Sequence, residues 1–89
     1  MRASETNHDP AALALRALVW TLGEPARAAR LLDTTGLTPA DLRTRADEPA
    51  VLSAVLGFLE AWEPDLIACA DELGVPPATI VAAHGALDA

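Results

Sequence analysis

Lysine and tyrosine are missing from this chain of 89 residues, cysteine occurs once, and the aromatic residues are one phenylalanine and two tryptophans. Each scarcity closes off a class of function. The single cysteine, Cys69, forbids an intrachain disulfide and points to no oxidising compartment. With only two distant histidines, His8 and His84, beside it, the chain has no metal-ligand spacing, and its acids lack the order of a calcium-binding loop. The crowd of Glu60, Glu63 and Asp65 is explained by capping and solvation without a cation. Without lysine or tyrosine the set of general acids and bases is thin, and no nucleophile, base and orienting carboxylate fall into a recognisable pattern. The glycines stand singly, so no phosphate-cradling loop appears. Long apolar runs are missing too. Residues 11–22 are too few to cross a bilayer and are interrupted by Arg16, and the start of the chain, with Glu5 among polar residues, lacks the design of a secretory leader. These exclusions predict a non-enzymatic cytoplasmic protein with no cofactor, no metal and no membrane partner.

What is present is helix punctuation. Seven prolines form six junctions: Asp9-Pro10, Glu24-Pro25, Thr38-Pro39, Glu48-Pro49, Glu63-Pro64 and Pro76-Pro77. Proline at the first helical position loses only an N–H that has no partner there. An oxygen-bearing side chain just before it caps the free donors, and an acid suits the helix dipole. Gly23, Gly36 and Gly74 follow apolar segments, as left-handed stops require. The punctuation predicts helices over 10–22, 25–35, 39–46, 49–62, 64–73 and 77–87. No segment alternates as a strand does. Joints of one to four residues fold neighbours back on one another, which gives an all-α, compact single-domain bundle of five to six short helices over 9–89, behind a flexible N-terminal segment at 1–8.

Apolar residues make up 52% of the chain with few aromatics, so the core is built of Leu, Val, Ile and Ala, a composition that favours close helix packing over a roomy cavity. The segment 49–62 supplies the central element, with Val51, Leu52, Val55, Leu56, Phe58, Leu59 and Trp62 around most of its girth. Mid-helix Gly57 predicts a neighbour crossing closely there. Cys69 shares a face with Leu66 and Leu73 and reads as a small buried hydrophobe. His84 shares a face with Ile80 and Leu87, with Asp88 as its candidate partner.

The first helix is apolar on two sides. Leu15, Leu18, Val19 and Leu22 form one stripe; Leu13, Arg16 and Trp20 fall opposite. Either both sides are buried, or Leu13 and Trp20 form a contact surface in which Arg16 stacks on the Trp20 indole one turn away.

Two segments share a template: Gly36-Leu37-Thr38-Pro39-Ala40-Asp41-Leu42 and, 38 residues later, Gly74-Val75-Pro76-Pro77-Ala78-Thr79-Ile80. They are helix-turn-helix-like units, arisen by duplication or by convergent turn chemistry. Thr38 and Asp41 also form a capping box. That packing does not specify DNA. The helix from Pro77 offers no Lys, Arg, Asn or Gln to read bases.

Charge is unevenly shared. Residues 1–45 carry six arginines against five acids, a balance of +1; residues 46–89 carry eight acids and no base, a balance of −8, so the net is −7. The acidic half repels phosphate, which leaves Arg27, Arg30, Arg43 and Arg45 as the one candidate patch for an anion or DNA. The leading expectation is therefore a protein-interaction or adaptor module that presents Leu13, Arg16 and Trp20 to another protein, or to a second copy of itself. A DNA-associated regulator using the arginine patch is the second reading.

Ala14-Leu15-Arg16-Ala17-Leu18 with Trp20, Thr35-Gly36-Leu37 with Asp41-Leu42-Arg43, Val55-Leu56-Gly57-Phe58-Leu59 and Leu66-Ile67-Ala68-Cys69 before Gly74 span nearly the whole chain. Together they resemble a family of small alphaproteobacterial proteins known as a domain of unknown function. The resemblance implies an all-helical fold and a bacterial cytoplasmic setting, and it carries over no site residues.

Overall fold

The prolines open all six helices of the computed structural model, which describes residues 9–89; the expected flexible segment at 1–8, with His8, lies outside the described residues. The elements are α1 (Pro10–Leu22), α2 (Pro25–Thr35), α3 (Pro39–Thr44), α4 (Pro49–Glu60), α5 (Glu63–Leu73) and α6 (Pro77–Asp88). No strand occurs among the described residues.

The cap chemistry follows the expectation at three starts. Asp9 accepts the Ala11 N–H, Glu24 accepts those of Ala26 and Arg27, and Thr38 and Asp41 close a reciprocal capping box. At the other three it does not. Glu48 makes no cap bond because its carboxylate is held by Arg45, at 3.1 Å. Trp62 rather than Glu63 occupies the cap of α5, and Pro76 has no side-chain acceptor to offer α6.

Two of the three expected glycine stops are left-handed, Gly36 at φ +78° and Gly74 at φ +73°. Gly74 closes a Schellman motif, since its N–H reaches the Asp71 carbonyl while Val75 N–H reaches that of Ala70. Gly36 makes the simpler single bond, to Leu32. Gly23 departs from the expectation and stays right-handed at φ −73°. Only Gly23 and Glu24 separate α1 from α2, and the loose carbonyls at the end of α1 are taken by an arginine instead. The joint from α5 to α6 bends by 101°.

α4 is the central element. Val51, Leu52, Val55, Leu56, Phe58 and Leu59 are all buried, and α1, α2, α5 and α6 pack around it. The close crossing expected at Gly57 is met by a side chain and not by a helix backbone: a Cβ there would stand in van der Waals contact, 3.4 Å from Cε1 of His84 on α6. His84 then pairs through Nδ1 with Oε2 of Glu60 at 2.5 Å, not with Asp88, which accepts from Ser53 Oγ. Trp62 leaves the expected core. α4 ends at Glu60, and the indole is 55% exposed.

Candidate interaction surface

α1 is turned over relative to its most apolar stripe. Leu13, Ala14, Ala17, Leu18 and Thr21 face the core, while Leu15, Val19 and Leu22 face solvent. Leu13, at 3% exposure, is therefore not part of a contact surface, and that expectation is corrected. Ala14 and Ala17 explain the inversion. Their short side chains let α4 and α6 approach the backbone of α1 closely, and a face of leucine and valine would hold them further off. Thr21 is tolerated in the core because its hydroxyl donates to the Ala17 carbonyl, 2.8 Å away.

The outer side of α1 carries Ala12, Leu15, Val19 and Leu22, spaced three, four and three residues apart, all exposed, with Val19 at 71%. Beside them a groove of about 540 Å³ is lined by Arg16, Val19, Trp20 and Gly23 at the end of α1, Arg27 of α2, and Glu72 and Leu73 of α5. Arg16 and Trp20 are thus brought to one site as expected, but they do not stack on each other. Arg27 lies over the Trp20 ring, 3.6 Å from its centroid, and donates to the carbonyls of Trp20 and Thr21. Arg16 donates to the Leu73 carbonyl, 3.2 Å away, at the last residue of α5. Both guanidiniums thereby neutralise the negative ends of helices.

The candidate anion patch is broken up by pairing. Arg27 is held by Trp20. Arg30 reaches Asp65 at 3.1 Å. Arg45 bridges Glu48 at 3.1 Å and Asp41 at 3.3 Å, and its basicity is raised chiefly by the Glu48 hydrogen bond. The Asp41 carboxyl is held below its ordinary value, first by the Thr38 backbone N–H and, against desolvation, by the Thr38 hydroxyl and Arg45. Of the four, Arg27 and Arg43 have no ion pair among the described residues, and Arg43 alone also makes no side-chain hydrogen bond or ring contact there.

Of the other chemistry-bearing groups, His84 and Glu60 are a partly exposed pair and Cys69 is absorbed by the core. Cys69 is buried, and burial pushes its thiol up to about 11, the reverse of what a nucleophile needs. No group of three metal-ligating side chains occurs among the described residues. No described helix is long and apolar enough by itself to cross a membrane.

Leu15, Val19, Leu22 and Trp62 are the surface residues that the sequence assigned to the core. The small residues of α1, Ala14 and Ala17 on one face, are the signal that distinguishes the two sides. Residues 7–89 match the family model described as a protein of unknown function (DUF3572), and the chain belongs to that family. No curated protein and no solved structure matches it.

Proposed function

We propose that the protein is a non-enzymatic interaction module, an adaptor that docks another protein along the outer side of α1 in a bacterial cytoplasm. The observation that carries this reading is the exposed row Leu15, Val19 and Leu22 beside the Trp20 groove. A row with this spacing is how a helix is gripped by an apolar partner. Tryptophan and arginine are the side chains that most often anchor such contacts, and here Arg16 and Arg27 are already fixed by helix-end carbonyls, so little freedom is lost on docking.

Capture from native lysate, treated with nuclease, compares the wild type with Val19→Asp. A defined protein retained by the wild type and lost by the variant supports the module. Equal retention by both moves the contact off α1. The second reading, a regulator that touches DNA, has the 101° α5–α6 joint within the range of helix-turn-helix units. It has the ion pairs of Arg30 and Arg45 and the stacking of Arg27 on Trp20 against it, so it predicts a contact centred on Arg43.

A further inference from the structure

We propose that the depression where α2 meets the α4–α5 joint is a binding site for a small planar acid, an aromatic ring bearing a carboxylate or similar anionic group. Its lining residues are Arg30, Thr34, Phe58, Ala61 and Trp62, around about 490 Å³, a volume within the usual range of small-molecule sites. None of them lines the groove beside α1, and the inference does not depend on the docking reading.

The aromatic distribution is the first argument. The chain has three aromatic residues, and two of them, Phe58 and Trp62, meet here. Phe58 is buried as the floor, while Trp62 stands as a wall with more than half its surface in water. Trp62 sits at the cap of α5, where an indole has no acceptor to offer the free N–H groups, and it is not among the side chains packed against the core. An exposed flat apolar wall above a buried aromatic floor is the arrangement that accepts a third ring by stacking or edge contact.

Charge supplies the second argument. Arg30 is the one charged residue of the lining. One guanidinium nitrogen is 3.1 Å from Oδ2 of Asp65, a mostly covered carboxylate, and the group leans over Phe58 at 5.7 Å from the ring centroid. A guanidinium has five N–H donors in a fixed fork. Asp65 stands behind the fork as an ion-pair partner without forming a hydrogen bond, so the N–H donors stay at the half-exposed rim, where a planar anion takes a charge-assisted bond. The site so built prefers an acid to a neutral molecule of the same shape.

The probe is 1-anilinonaphthalene-8-sulfonate, an aromatic anion, compared with uncharged N-phenyl-1-naphthylamine on the folded full chain. We expect saturable one-to-one binding of the anion, about tenfold tighter than the neutral analogue. Trp62→Ala, at an exposed position, weakens the anion about tenfold. Arg30→Lys, which keeps the charge but not the fork, narrows the preference for the anion, and Arg30→Gln abolishes it. Val19→Asp leaves binding unchanged. Non-saturable binding, equal affinity for the two probes, or indifference to Trp62→Ala would each overturn the site. Circular dichroism of every variant separates loss of the site from loss of the fold.

Discussion

The guanidinium of Arg27 lies 3.6 Å above the ring of Trp20 and donates to that residue's own carbonyl. One side chain from the first turn of α2 therefore covers an indole and finishes the helix that carries it. This contact replaces the left-handed glycine cap expected at Gly23. Three residues on, Arg30 leans over Phe58 of α4, so arginines one turn apart tie α2 to both α1 and α4.

Arg27→Ala removes the cation–π contact, leaves the Thr21 carbonyl to water and leaves that of Trp20 with the Gly23 N–H alone. The expected loss is about 2 kcal/mol, read as a fall of roughly 10 °C in thermal midpoint for a domain of this size. Arg27→Lys recovers only part of it, because an ammonium cannot span both carbonyls and the ring. Equal midpoints for wild type and Arg27→Ala would mean that the contact adds nothing to stability.

Glycine substitutions have opposite signs at different positions. At Gly74, φ is +73°, so alanine is strained and costs about 1 kcal/mol or more although no atom stands in its way. Gly85 is in the body of α6 with open space where its Cβ would be, and alanine there adds about 0.5–1 kcal/mol through helix propensity. Denaturant midpoints of Gly74→Ala and Gly85→Ala shift in opposite directions.

Gly57 and His84 are energetically coupled. Valine at 57 collides with an imidazole that already stands 3.4 Å from the place of a Cβ and pushes it off Glu60. Gly57→Val alone costs more than it does in a His84→Ala background, by about 1 kcal/mol in a double-mutant cycle. Additive losses would show that the ring does not seat on α4.

Cys69 makes the fold sensitive to alkali. Its thiol ionises near 9.0 in the unfolded chain but near 11 when buried, desolvation being the largest cause. Between those values the unfolded chain releases the proton and the folded one keeps it. The contribution is therefore complete below pH 9 and is lost as pH rises towards 11, by roughly 2 kcal/mol. Cys69→Ala flattens that part of the stability profile. In the native protein, Ellman's reagent reacts with the thiol only at the rate of opening.

The helix starts and the ends marked by glycine were legible because their signals are local. The expected ends at 46 and 62, with no glycine after them, fall instead at Thr44 and Glu60. Proline at the first or second helical position and glycine after the last act within a few residues, and five of the six expected starts are met to the residue. The inner side of α1 was not, because both sides are apolar and hydrophobicity alone favours Leu15, Val19 and Leu22. Close packing against α4 and α6 selected Ala14 and Ala17 instead. Side-chain partners were lost for a related reason. Arg16 with Trp20, and His84 with Asp88, are neighbours along one helix, whereas the bonds formed run to Leu73 and Glu60 on other helices. At the candidate site, Arg16 and Trp20 were found from sequence; Val19 and Arg27 needed the fold.

The central claim is that the outer side of α1 is covered by a partner in the cell. A photo-crosslinking amino acid placed at position 19, and at the similarly apolar and exposed position 81 on α6 as control, tests it in living cells. The account predicts one discrete crosslinked protein from position 19 that is much weaker or missing from position 81. No adduct from position 19, or the same adducts from both positions, would contradict it.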